Sequence, residues 1–204
     1  VDRRGAGHPA PPARSEPGED RTIDFALKPV PTLSTERLTL VPLGPAHFEG
    51  TWASLHEPEV IRPTGTHTVF TEDQIRDWLA GLEAMDGRAD WAIVRTADGV
   101  HLGEAVLNDL DADNRSAGFR IMLGSPQWFG SGYGTEATRA VLEHAFRTAG
   151  LHRVELEVFA FNPRAQRAYE KAGFVVEGRR RDALFWDGEW VDAIVMGCLS
   201  HVEA

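Results

Sequence analysis

Gly130-Ser131-Gly132-Tyr133-Gly134-Thr135 is the stretch of this chain whose residue types and spacing are best suited to chemistry. Alternating glycines let a backbone approach a ligand closely. The N-terminus of a following helix adds free N–H groups and a dipole that favour an anion. The chemistry to expect is phosphate binding, with a merely tight glycine turn as the bland alternative. A Walker loop is excluded because no Lys-Ser/Thr pair follows, and Thr135 stands where the dinucleotide fingerprint needs its last glycine.

The elements around this loop can be read from periodicity. Leu38 and Leu40 alternate with polar neighbours as a first strand, and Pro45 to Leu55 suits a short helix. Thr71-Glu72-Asp73-Gln74 reads as a capping box ahead of the apolar stripe Ile75, Trp78, Leu79 and Leu82. Trp91 to Arg95, Leu102 to Asp109 and Ala117 to Leu123 form a meander of strands broken by Asp98-Gly99 and by Asp111 to Arg115. Glu136 to Ala149 is a helix that Gly150 ends, and Val154, Leu156 and Val158 mark a strand. Asn162-Pro163 opens a last helix closed by Gly173, and Asp187-Gly188 joins a final hairpin.

This order predicts an α/β fold with a mixed, mostly antiparallel sheet. The helix after the glycine loop is a crossover, so the strands ending near Leu123 and starting near Arg153 are parallel neighbours with the loop at their carboxyl ends.

Composition limits the functions available. The chain has 204 residues, 21 Lys+Arg against 31 Asp+Glu and a net charge of −10, which suits one soluble domain. Residues 1–32 hold six of the twelve prolines and equal numbers of acids and bases, so the whole negative charge belongs to residues 33–204. The first 32 residues lack a hydrophobic period and read as a flexible tail, unless they dock on this or a neighbouring subunit. An acidic body repels nucleic acid and anionic membrane, so an anionic ligand must be held by local donors. The single Cys198 permits neither an internal disulfide nor a cysteine zinc site. Without an apolar span or a signal-peptide core, a cytoplasmic location is expected. His144 and His152 lack a third ligand at useful spacing, so no metal is expected.

Trp128-Phe129-Gly130-Ser131-Gly132-Tyr133-Gly134-Thr135-Glu136-Ala137, followed by Asn162-Pro163-Arg164-Ala165-Gln166-Arg167-Ala168-Tyr169-Glu170-Lys171-Ala172-Gly173-Phe174, resembles the GNAT acetyltransferases. The opening Thr35-Glu36-Arg37-Leu38 and the closing Trp186-Asp187-Gly188-Glu189-Trp190-Val191-Asp192 are similar to the RimJ/RimL-type subgroup, which modifies protein N-termini or small amines. The resemblance covers residues 33–200. It implies a single GNAT domain with a splayed central parallel strand pair and an acetyl-CoA site. The pyrophosphate would rest on backbone N–H groups of Gly130, Ser131, Gly132, Tyr133, Gly134 and Thr135, beside Phe129. The pantetheine arm would lie along the main chain of Phe119 to Met122, Ile121 included, and the acetyl group would pass directly to an amine.

The resemblance also suggests roles for single residues. Tyr169 matches the family's general acid toward the departing thiolate, or else is a core tyrosine. Asn162 matches a pantetheine contact, or is simply an N-cap. Aligning Gly118-Phe119 with the family's glycine-aromatic pair puts Ser116 where a glutamate base is usual. Glu104 and Asp109 on the preceding strand are then substitutes by reach, with an ordinary strand carboxylate or a water chain as the alternatives. Phe129 stands at a Gln/Arg position and Ala165 at a serine position. Trp186 and Trp190 line an acceptor cleft or pack across their hairpin, and packing is the preferred reading. The rival function is an acyl-CoA sensor without catalysis. A homodimer is expected from the edge of the aromatic hairpin.

Overall fold

Period-2 alternation of apolar residues builds one eight-stranded sheet in the computed structural model, which describes residues 27–200. The strands are β1 (Leu33–Ser34), β2 (Leu38–Pro42), β3 (Ala89–Arg95), β4 (His101–Asp111), β5 (Ser116–Leu123), β6 (Arg153–Phe159), β7 (Val175–Trp186) and β8 (Glu189–Leu199). They lie in the order β1-β2-β3-β4-β5-β6-β8-β7, and β5 with β6 is the parallel pair. The helices are α1 (Phe48–Leu55), α2 (Pro58–Ile61), α3 (Glu72–Gly81), α4 (Tyr133–Glu143) and α5 (Pro163–Ala172).

Alternation sends each strand's residues to opposite faces. Trp91, Ile93, Ala105, Leu107, Phe119, Leu156 and Val158 join Ala137, Val141 and Tyr169 of α4 and α5 in the main core. On the other face, Ala92 packs with Phe48 of α1 and Ile75 and Leu79 of α3. The capping box forms as expected: Gln74 N donates to Thr71 Oγ1 at 3.3 Å, and Thr71 N donates to Gln74 Oε1 at 2.9 Å.

The expected order of elements holds, with several local differences. The crossover helix starts at Tyr133, three residues before its apolar period. Gly132 takes φ 85° as its N-cap, and the Gly134 of its first turn carries no side chain to reveal the period. Helix α4 runs on into a wider π turn over His144–Thr148. The four-residue α2 has too few positions to show a period, and Pro58 at its start is the only local cue. Of the stretch read as a tail, residues 1–26 lie outside the described residues, whereas residues 27–32 pack on the domain. Leu27 is buried, Lys28 Nζ donates to the Leu82 carbonyl at 2.7 Å, and Trp91 Nε1 donates to the Pro31 carbonyl at 2.8 Å. Composition averaged over 32 residues hid these anchors.

The register of β4 against β5 depends on Gly103. It has φ 153°, and a Cβ there would lie 2.0 Å from the Met122 carbonyl oxygen and 2.8 Å from Leu123 Cα. Backbone cannot step aside as a side-chain tip can. We expect Gly103→Ala to cost about 3 kcal/mol or more from overpacking and strain. Urea unfolding checks this, and a loss below about 1 kcal/mol would contradict it.

Candidate active site

Strands β5 and β6 pair for three residues only, Ser116–Gly118 against Arg153–Glu155, and then diverge. Each is held on its outer side along the rest of its length, β5 by β4 as far as Leu123 and β6 by β8 as far as Phe159. Their inner edges therefore open into a cleft of about 1050 Å³ that reaches both faces of the sheet. Phe119, Ile121 and Met122 line it, as do Phe129, Gly130, Gly132, Gly134 and Thr135.

The glycine loop is tied to β2. Arg37 Nη1 donates to the Ser131 carbonyl at 3.0 Å, and the Arg37 guanidinium lies 4.6 Å from the Tyr133 ring centre. Glu136, in the first turn of α4, accepts from Arg37 N at 2.9 Å, Arg37 Nε at 2.7 Å and Thr35 Oγ1 at 2.6 Å. Burial works against the Glu136 carboxylate, but these donors together hold it below the ordinary glutamate range. The Thr35-Glu36-Arg37-Leu38 stretch thus has a local purpose, because it fixes the loop. Ser131 and Tyr133 do not themselves line the cleft; they face this strap.

Asn162 is the N-cap of α5, its Oδ1 accepting from Ala165 N at 3.2 Å, and the residue also borders the cleft. Tyr169 combines both of its expected settings. Its ring is buried edge-on to Phe119 (6.5 Å) and Phe174 (5.9 Å), and it is also part of the cleft wall. Burial pushes its phenol up to about 12, so it keeps its proton throughout the neutral range.

Ser116 lies at the closed end of the parallel pair and does not line the cleft. Glu104 does, opposite Met122 where the strands have parted. Desolvation pushes its carboxyl up to about 7; the hydrogen bond from Thr51 Oγ1 opposes the rise and the charge of Asp90 adds to it. Asp90 is itself buried and held by both Arg88 Nε (2.7 Å) and Arg88 Nη2 (2.6 Å). Asp109 sits further along β4, exposed at an irregularity with φ 52°, where it accepts from Asn108 Nδ2 at 2.6 Å. Of the two substitute carboxylates, Glu104 is the one at the widened part of the cleft, opposite Met122.

Sequence reasoning missed Thr51, Asp90 and the pair Glu155 and Glu157. The last two alternate with core residues on β6 and read as a solvent face, yet they border the cleft. His144 is buried and packs edge-on to Trp91 (5.7 Å), whereas Trp190 packs on Phe185 across the hairpin (4.9 Å), in keeping with the packing reading of that tryptophan.

The cleft is divided electrically. On the α1–α3 side Glu59, Asp90, Glu104, Asp109, Glu155 and Glu157 outnumber Arg88 and Arg120, whereas the lining supplied by α4 and α5 carries Arg164, Arg167 and Lys171 and no acid.

Comparison with known proteins agrees with this geometry. Residues 37–175 match the acetyltransferase (GNAT) domain, and the chain belongs to the GNAT acetyltransferase family. It is 34% identical over 151 residues to the FsC-acetyl coenzyme A-N(2)-transacetylase of Aspergillus fumigatus, covering 68% of this chain and 62% of that protein. It is 32% identical over 104 residues to the spermidine N(1)-acetyltransferase of Escherichia coli K12, covering 51% and 55%. The chain therefore spans between half and two thirds of the length of these relatives. In fold it is similar to the spermidine N-acetyltransferase of Vibrio cholerae crystallised with CoA and spermine, with a TM-score of 0.75 at 22% identity over 81% of this chain and 97% of that one.

The raised Glu104 carboxyl has a consequence for stability. The folded state binds more protons than the unfolded chain between the ordinary value of 4.5 and about 7, so stability falls as pH rises through that window. Glu104→Gln removes this penalty. Its stability relative to wild type should improve steadily from about pH 5 to about pH 8 in urea melts. A difference that does not change with pH would contradict the assignment.

Proposed function

We propose that this chain transfers the acetyl group of acetyl-CoA directly to a primary amine, either a protein N-terminus or a small polyamine-like molecule. The observation that carries the reading is the polarity of the cleft, with cations and loop N–H groups on one side of the sheet, carboxylates on the other, and the splay between them. A polyanionic donor suits the first side and a cationic acceptor the second. The relatives named as an acetyl coenzyme A transacetylase and a spermidine acetyltransferase support the same reaction.

The protein's part is orientation and proton management. The amine nitrogen attacks the thioester carbonyl, the carbon–sulfur bond breaks, and a thiolate departs. Glu104 is placed to take the ammonium proton, since a carboxyl near 7 is partly ionised at neutral pH yet basic enough to accept one. Tyr169 donates to the departing sulfur, and the second nitrogen proton, lost as the amide forms, restores the phenol. Its own rise toward 12 would disfavour full proton transfer to an ordinary thiolate, but the same apolar surroundings make the thiolate more basic, so the proton follows as charge develops. Asn162 serves the pantetheine arm with the part of its amide that the N-cap leaves free. We also read the chain as a RimJ/RimL-like cytoplasmic enzyme that pairs as a homodimer through the outer edge of β7, where Val175, Val176 and Phe185 are exposed.

Release of CoA thiol from acetyl-CoA, measured against N-terminal peptides and small amines, tests the proposal. Thiol release should depend on a cationic amine. Tyr169→Phe should lower kcat about a hundredfold or more with little change in acetyl-CoA KM, and Glu104→Gln should remove the limb of the pH–rate profile near 7. Light scattering on the same sample should give the dimer mass; a monomer would refute the pairing. Tight binding without turnover on any acceptor would favour a sensor of acyl-CoA, and unchanged turnover in Tyr169→Phe would remove that residue from the mechanism.

A further inference from the structure

Trp186, near the tip of the final hairpin, stacks on His67 with the ring centres 4.7 Å apart and the planes at 26°. His67 belongs to the segment between α2 and α3, so the contact joins the two halves of the sheet across the splay. Two neighbours of His67 reach the same far side. Gly65 has φ 67°, and a Cβ there would lie 2.5 Å from Phe159 Cε2 and 3.4 Å from Leu184 Cδ1, so bare backbone closes on the Phe159 ring. The Arg62 guanidinium lies 4.8 Å from the Phe161 ring centre. Phe159 follows Glu155 and Glu157 on one face of β6, each about 7 Å from the last, while Pro63, Thr64 and Thr66 border the cleft. The segment therefore crosses the opening on its carboxylate side. Its own turn is closed by Gly65 N donating to the Arg62 carbonyl at 3.1 Å and Thr64 Oγ1 donating to the Ile61 carbonyl at 2.7 Å. Among the described residues no hydrogen bond joins residues 62–67 to β6, β7 or β8, so packing alone holds them there.

We propose that residues 62–67 form a strap over the amine end of the cleft, latched by His67 on Trp186 and by Gly65 on Phe159, and that the strap selects an amine on an unbranched aliphatic chain over the α-amine of a peptide N-terminus. The inference rests on the acetyl-transfer reading and names the acceptor class. A nitrogen that reaches Glu104 on this face passes between the strap and the carboxylate row of β6. A methylene chain stays narrow along its length, whereas the α-carbon of a peptide carries a side chain and a carbonyl next to the reacting nitrogen. The strap also has little to exchange with that carbonyl. Pro63 has no N–H, and the Thr64 hydroxyl is already engaged with the Ile61 carbonyl and, at 2.8 Å, with Thr66 Oγ1. Rejection by shape and by unpaired polar groups is the stronger half of such discrimination.

Thiol release by the full chain at saturating acetyl-CoA tests this with butylamine and trialanine amide, two single cations that differ in branching at the reacting end. Wild type should favour butylamine in kcat/KM by about tenfold or more. His67→Ala and Trp186→Ala, at two positions outside the cleft lining, should each lower that preference about three- to tenfold by raising the peptide rate, with the acetyl-CoA KM and the circular dichroism of wild type. Trp190→Ala, on the same hairpin but packed on Phe185, should leave the preference unchanged. Amide exchange at residues 65–70 should quicken in both latch variants and not in Trp190→Ala. A wild type that acetylates both amines equally well, a preference within about twofold of wild type in both latch variants, or exchange as fast in wild type as in them would overturn the strap while leaving acetyl transfer intact. Thiol release from no amine at all would overturn the acetyl-transfer reading and this one with it.

Discussion

Strands β5 and β6 part after three paired residues, and the cleft and its surroundings follow from that divergence. Backbone N–H and C=O groups inside a protein must find partners. Here β5 is satisfied on one side by β4 and β6 on one side by β8, and neither can serve the other once they diverge. The inner edges are strand edges in the middle of a sheet, where edges normally do not occur. An extended ligand with amides of its own is the natural complement of such an opening. The crossover geometry then places the glycine loop and the N-terminus of α4 at the carboxyl ends of both strands, so one topological feature produces the slot and the anion cradle together.

Much of the remaining structure holds that opening in shape. Gly103 lets β4 stay paired with Met122 and Leu123 past the point of parting. Arg37 and Thr35 hold Glu136 and the Ser131 carbonyl, so the loop cannot drift from β2. On the opposite face α1 brings Thr51 to Glu104, and Arg88 holds Asp90 nearby through two hydrogen bonds. Desolvation and the neighbouring Asp90 charge raise the Glu104 carboxyl, and Thr51 limits the rise, which leaves it near neutrality. The division of charge across the sheet follows from period 2: Glu155 and Glu157 must face away from Leu156 and Val158, and hence away from the basic strip of α5.

The long periodic elements were legible in the sequence because burial on one face writes itself into residue order. Strands β2 to β8, the Thr71 cap and the glycine loop all followed from that pattern. So did the parallel pair, since a crossover helix leaves little other choice. What could not be read depended on contacts distant in sequence. Glu104 is special because burial raises its carboxyl, with Thr51 limiting the rise and the Asp90 charge adding to it, and nothing near residue 104 announces that setting. Glu155 and Glu157 carry the ordinary signature of a solvent-facing strand, and only the splay turns that face into a cleft wall. Residues 27–32 were obscured by a proline-rich average, although Leu27 and the Pro31 carbonyl anchor them to the core. The resemblance to the GNAT family located Tyr169 and Asn162, but its usual base position pointed to Ser116, which the fold places at the closed end.

The gap between β5 and β6 is the proposed acetyl-CoA site. Residue-resolved amide exchange with and without acetyl-CoA tests it most directly. New protection is expected at the β5 residues Phe119 to Met122 and at the loop residues Gly130 to Thr135, with strands β1 and β2 away from the loop unchanged. Protection confined to another surface, or none at saturating acetyl-CoA, would contradict it.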